Sequence, residues 1–382
     1  MALKQHERTS TAWDNGWTTK TTDGNTRLHI LALNKGIRLI PQELLAINNL
    51  ILQNNKGETV YHIAAQKGQL SAIPEGSISV VILMMRDKIG RTVLYDAASS
   101  GHLDQVPRKF LTQDTLMSIS HIGQPILYTV ACLGNLDQVP REILTQKNLL
   151  SSSTSGLTIL HAAASNGHLN QVPKEIITRE NLLTPTNRRS TVFHAIARNG
   201  NWEAVPLELI TEENLGYAAK NGYNCLHSAA INEQINNIPL ITTRLLTQQD
   251  NDGWSPLHIL ADAGNLHLLP QEYLTAEALT IKSNAGVTPI HTAIVKGHLD
   301  QIPRHCLSWE TVMSSTVPGD EQKTINIIKS HNQLDHLLGM ELPDSAKPIV
   351  GNDWWEANIS ARNAMVQGSQ SDITILHEID MF

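Results

Sequence analysis

Gly156-Leu157-Thr158-Ile159-Leu160-His161-Ala162-Ala163-Ala164-Ser165-Asn166-Gly167-His168-Leu169-Asn170-Gln171-Val172-Pro173 is one statement of a pattern that the chain makes nine times. Copies begin at Gly24, Gly57, Gly90, Gly123, Gly156, Arg189, Gly222, Gly253 and Gly286, so seven of the eight intervals are 33 residues and one is 31. A proline keeps the same time, 17 residues after each start: Pro41, Pro74, Pro107, Pro140, Pro173, Pro206, Pro239, Pro270 and Pro303. A fixed period of this length in a 382-residue chain means stacked units that share one core rather than separate globules.

Within one unit the residue types predict the local structure. Gly156 supplies a turn, and Thr158 stands where an N-cap hydroxyl accepts an amide hydrogen bond. Leu160, Ala163 and Ala164 form a short helix whose small residues let neighbours approach, and Gly167 ends it as a left-handed glycine. Asn170, with Asp104, Asp137 and Asp300 in sister units, is expected to cap a second helix and to leave the proline in its first turn. Thr178, with Thr112, Thr145, Thr211, Thr275 and Ser308 in register, is a further N-cap signal with acidic residues after it. The second helix is therefore expected to be shortened or broken, followed by another single helical turn.

Composition agrees with a packed helical array. Aromatic residues are only 4% against 41% hydrophobic residues, which suits cores of Leu, Ile and Ala. The net charge of −7, without a long Lys/Arg run, disfavours nucleic acid. No apolar stretch approaches the roughly 20 residues that span a bilayer, so no membrane insertion is expected. The polar N-terminus lacks the apolar core of a secretory signal. Cys132, Cys225 and Cys306 lie far apart and read as reduced thiols with no metal-ligand spacing. These features point to a cytoplasmic protein, with delivery into a host cell left open.

At these residues the chain resembles the ankyrin repeat family, whose unit has a turn, a Thr-Pro-Leu-His-x-Ala-Ala helix, Gly-His and a second antiparallel helix. Ser255-Pro256-Leu257-His258 and Thr288-Pro289-Ile290-His291 match the tetrapeptide best. Gly101-His102-Leu103, Gly167-His168-Leu169 and Gly297-His298-Leu299 match the inter-helix signature. The resemblance covers roughly residues 23 to 316 and implies an all-α, ankyrin-type solenoid of stacked helix-turn-helix repeats with terminal caps. Three departures mark a divergent subgroup: the registered proline with its Thr cap, Tyr95 and Tyr128 in place of histidine, and a unit two residues short between Pro239 and Gly253.

Seventeen histidines invite a metal or acid–base reading. Seven of them, His29, His62, His161, His194, His227, His258 and His291, occupy one repeat position, and His102, His168 and His298 occupy another. The resemblance implies that such histidines hydrogen-bond backbone between turns. No nucleophile elbow, phosphate loop, zinc-protease helix or Cys-x-x-Cys is present. We therefore expect a non-catalytic protein, with no cofactor, no metal and no catalytic residues, that acts as a protein-binding scaffold or adaptor through a long concave surface.

Partner contacts are sought where exposed positions depart from the repeat. Arg188, Arg189 and Arg198 mark the sixth unit, Trp202 follows its first helix, and Tyr223 and Trp254 stand one residue after the next two starts. Arginine and aromatic residues dominate binding hot spots, so these six are the candidate partner-binding set.

The chain is expected to divide into an N-terminal cap at 1–22, nine repeats at 23–316, a degenerate capping repeat at 317–338 and a C-terminal segment at 339–382. In the cap, Trp13-Asp14-Asn15-Gly16-Trp17 predicts a small hairpin. The last segment holds a connector over 339–353, a Trp354-Trp355 helix read as an anchor onto the array, and an off-register half-repeat, Asp372-Ile373-Thr374-Ile375-Leu376-His377. The competing functional reading is a modulator or inhibitor of a bound enzyme, or an enzyme, acting through 317–382. Self-association through the half-repeat is a third.

Overall fold

The computed structural model describes residues 16–313 and 321–367. Helices are the regular structure among the described residues, which include no strand and three isolated β-bridges. They cluster into two compact units, Met1–Asn187 and Arg188–Phe382.

In the first unit the helices Arg27–Leu33, Val60–Gln66, Val93–Ser99, Ile126–Leu133 and Ile159–Ser165 pack consecutively, each on the next. Helices of seven or eight residues are marginal alone in water, so capping and packing must hold them. Thr26, Thr59, Thr92 and Thr158 cap four of them, each side chain accepting the amide of the residue three further on. Leu28, Val60, Leu94, Leu127 and Leu160 are fully buried between layers. Burial of each such side chain is worth about 1.5–3 kcal/mol.

The second half of each unit is not a helix. Leu169–Gln171 is a three-residue 3-10 turn, Val172 is extended, Pro173 precedes a second 3-10 turn at Lys174–Ile176, and Thr178 caps the single α-turn Arg179–Leu182. The expected breakage and the threonine caps are thus found, but the expected Asn and Asp caps are not. His102, Asn135, His168 and His298 hold the N-cap positions, while Asp104, Asp137, Asn170 and Asp300 lie inside the turns. The prolines likewise stand before their 3-10 turns instead of in a helical first turn. The reason is the preceding leucine: Leu103, Leu136, Leu169 and Leu299 must reach the core at once, which starts the turn two residues earlier than a cap at Asp104, Asp137, Asn170 or Asp300 would. Asn148 and Asn181 then tie the α-turn back, donating to the Ile143 and Ile176 carbonyls at 2.8 Å.

A glutamine staples successive units. Gln171 Nε2 donates to the Gly134 carbonyl at 2.6 Å while its Oε1 accepts the Leu136 amide at 2.9 Å. Gln69 makes the same pair of bonds to Ala32 and Ile37. The Gly134 carbonyl and the Leu136 amide lie at helix ends, where backbone groups lack an intrahelical partner.

The second unit repeats this plan with helices Val192–Asn199, Cys225–Ile231, Pro256–Ala263, Pro289–Lys296 and Glu321–Ser330, again packed consecutively. The two-residue deletion after Pro239 removes the second 3-10 turn, so Thr242 caps Thr243–Thr247 directly. The expected degenerate cap is a nearly complete unit. Ile325, Ile328 and Leu337 are fully buried, and Gln333 staples it to the Gly297 carbonyl and the Leu299 amide. The expected connector is partly ordered, with turns at Asp344–Ala346 and Lys347–Val350. Trp355 is buried at the start of Asn352–Gln367, and Asn358 bonds the Gly339 amide and the Met340 carbonyl, which agrees with an anchor. Trp13, Asp14 and Asn15 of the expected hairpin, and the half-repeat at Asp372, lie outside the described residues.

Candidate partner-binding surface

The turns place the candidate side chains. In the second unit the Lys220 amide bonds the Arg188 carbonyl at 2.8 Å, and the Asn251 amide bonds the Asn221 carbonyl at 3.0 Å. Arg188 and Arg189 therefore stand beside the turn that precedes Tyr223, which in turn stands beside the turn that precedes Trp254. Arg188, Arg189 and Arg198 are exposed. Arg189 occupies the place of the turn glycine and adopts a left-handed φ of 57°, a conformation that costs an ordinary residue about 1 kcal/mol. Its guanidinium lies 5.7 Å from the Tyr217 ring centroid, a cation–π distance. Arg198 sits in the last turn of Val192–Asn199, at the far end of that helix from Arg189.

The three aromatic residues behave differently. Trp202 is only 6% exposed and stacks on Phe193 at 6.4 Å, so it fills the core and leaves the set of surface anchors. Its register gives the reason: the same position holds Leu169, Ile235, Leu266 and Leu299, all buried. Tyr223 and Trp254 are half-buried. Tyr223 stacks on His227 at 5.1 Å, and Trp254 leans on His258 at 5.5 Å. Each ring thus covers a histidine.

Those histidines are fully engaged. Nδ1 of His194 accepts the Thr191 amide at 3.2 Å and faces the Thr191 hydroxyl at 2.8 Å, while Nε2 donates to the Tyr223 carbonyl at 2.9 Å. His29 reaches Glu58, His62 reaches Arg91, His227 reaches Trp254 and His258 reaches Val287 in the same way. Burial lowers the pKa of each of these rings, which outweighs the opposing backbone hydrogen bonds. The second histidine set has a packing role. A Cβ on Gly134 would meet the His168 ring at 2.6 Å, and one on Gly264 would meet the His298 ring at 2.7 Å.

One charged cluster was not foreseen. In the first unit Arg91 bonds Asp87 at 2.8 Å and Glu58 at 3.1 Å, and lies 3.8 Å from Asp96. Asp96, 1% exposed, also accepts from Gln66 at 3.1 Å, yet burial pushes its pKa up to about 7. The sequence signal was an aspartate at a helix position that holds Ile63, Thr129, Ala162 or Ala195 elsewhere. Among the described residues, no group of three or more His, Cys, Asp or Glu side chains is arranged to hold a metal ion. No described helix is long and apolar enough to cross a membrane. No family model matches the chain, and no curated protein matches it.

Proposed function

We propose that this chain is an ankyrin-type repeat protein, of a subgroup with a split second helix, and that it serves as a non-catalytic scaffold binding a protein partner. The observation that carries the proposal is the division of labour among its polar residues. The repeated Thr, Asn and Gln side chains, with His29, His62, His194, His227 and His258, are consumed by hydrogen bonds within and between units, whereas Arg188, Arg189 and Arg198, which depart from the repeat, project into solvent. Side chains of that type bury large area while keeping a charged head, so few are needed for affinity. Backbone held by turn-to-turn bonds loses little conformational freedom on binding, which lowers the entropic cost of association.

The test is affinity capture with the full chain and with a variant carrying Arg188→Ala, Arg189→Ala and Arg198→Ala, together with thermal melts. The proposal expects a specific co-purifying protein whose yield falls in the variant at an unchanged melting temperature. A variant that captures as much as the parent chain removes the arginines from the interface. A deletion ending at Val317 separates the array from the C-terminal segment: partner binding lost there, with the array still folded, favours a modulator acting through 317–382.

A further inference from the structure

The turn-to-turn ladder of the first unit has a gap. The Asn55 amide bonds the Asp23 carbonyl at 3.0 Å, and the Lys88 amide bonds the Lys56 carbonyl at 3.0 Å; at the other end the Asn187 amide bonds the Ser155 carbonyl at 3.1 Å. Asn55 and Asn187 add side-chain bonds to the Thr22 and Thr154 carbonyls at 2.8 and 2.9 Å. Between these pairs no backbone bond joins His121 to Ile89 or Thr154 to Ile122. The glycines measure the opening. A Cβ on Gly24, Gly57 or Gly156 would lie 2.7–2.8 Å from the backbone nitrogen of the next turn. On Gly90 it would meet side chains alone, His121 at 3.3 Å and Arg86 at 3.9 Å, and on Gly123 it would meet nothing within 4 Å.

The three turns that flank the gap close instead as small hairpins, through the bridges Arg86↔Thr92, Ile119↔Pro125 and Ser152↔Thr158. Their tips are unlike the others in chemistry. Ile89, Ile119 and Ile122 are 65%, 55% and 53% exposed. The exposed charged residues on the second to fifth turns are Lys56, Arg86 and Lys88, all positive, because Glu58 and Asp87 are buried against Arg91. Arg86 spans the gap's edge, donating to the Gly90 carbonyl at 2.9 Å and the Ile119 carbonyl at 3.4 Å.

We propose that the tips around Ile89, Ile119 and Ile122 form a docking site for an extended acidic segment of a protein partner, its aliphatic side chains on the isoleucines and its carboxylates facing Arg86, Lys88 and Lys56. This deepens the scaffold reading and rests on it. The unused amides of His121 and Thr154 and the unused carbonyls of Ile89 and Ile122 select an extended chain, since only a strand offers free backbone groups to pair with them. The uniformly positive rim selects the acidic sign and excludes basic competitors. Alternation of apolar and acidic residues matches the two-residue period of a strand.

The test uses the full chain and a fluorescein-labelled decapeptide of alternating Glu and Leu, followed by fluorescence anisotropy. The expected result is saturable binding that weakens by about tenfold or more in an Ile89→Asp/Ile122→Asp variant and in an Arg86→Glu/Lys88→Glu variant. A Lys–Leu decapeptide should not bind. These positions are exposed, so circular dichroism melts of each variant should match the parent and exclude unfolding as the cause. Undiminished affinity in either tip variant overturns the site, as does absence of binding at about 1 mM chain. Binding to phosphatidylserine vesicles without binding to the peptide also overturns it, in favour of a lipid surface. The two proposals fail separately. A partner captured equally by the parent and the tip variants, with no peptide binding, sinks the tip site and spares the scaffold; a parent chain that captures nothing sinks the scaffold.

Discussion

His194 Nε2 donates to the carbonyl oxygen of Tyr223, 29 residues further along the chain, at 2.9 Å, while its Nδ1 accepts the Thr191 amide. Both bonds together require a neutral ring protonated on Nε2, because a proton on Nδ1 would confront the amide hydrogen.

That requirement gives a pH dependence. Burial lowers the pKa of His29, His62, His194, His227, His258 and His291, that of His227 to about 4. Below the ordinary histidine value of about 6.5 the unfolded chain takes up protons that the folded chain refuses, so stability is present above that value and falls as pH drops. Asp96 has the opposite sign. With a folded pKa of about 7, it holds a proton that the unfolded chain releases. Six rings against one carboxyl predict a net rise in the urea midpoint from about pH 4.5 to about 6.5. A midpoint that is flat or declines across that interval contradicts the account.

Asp96 itself predicts a stabilising substitution. Ionised Asp96 is buried and only partly compensated by Gln66 and by Arg91 at 3.8 Å. Asp96→Asn keeps the acceptor for Gln66 and removes the charge. The variant should exceed the parent by about 2–4 kcal/mol near pH 8 and lose the advantage below about pH 4, where both side chains are neutral. Urea unfolding at the two pH values measures the difference.

Two glycines with the same backbone conformation predict unequal costs. Gly156 and Gly123 have φ of 79° and 75°, so alanine strains either by about 1 kcal/mol. Only at Gly156 would the new methyl strike backbone, 2.7 Å from the Asn187 nitrogen. Gly156→Ala should therefore cost about 1–3 kcal/mol more than Gly123→Ala, read as a difference in urea midpoint of the first unit. Equal costs would mean that the fourth and fifth turns are as close as the rest.

Much of this was legible in the sequence. The 33-residue register located the caps, the left-handed glycines and the broken second half, because those follow from local backbone chemistry. The same register, applied to Trp202, places it with Leu169 and Ile235 in the core; weighing the indole as a hot-spot residue type overlooked its position. The glutamine staple was hidden because Gln171 bonds groups 35 and 37 residues away, and sequence shows only that glutamine recurs. The open turns were hidden for a similar reason. They depend on what His121 and Thr154 fail to do where Asn55 and Asn187 clip the preceding turn.

Arg189 allows stability and binding to be separated. Glycine at this position relieves the left-handed strain but adds freedom to the unfolded chain and forfeits the contact with Tyr217, contributions of about 0.5–1 kcal/mol each. Arg189→Gly should thus stay within about 1 kcal/mol of the parent. Arg189→Ala keeps the strain and loses the contact, so it should be the less stable of the two. If Arg189 is a partner anchor, both variants lose affinity to a similar degree although their stabilities differ, and binding then tracks the guanidinium instead of the fold. Affinity that follows the melting temperatures of the two variants, with Arg189→Gly binding like the parent, would make Arg189 a solvated turn residue.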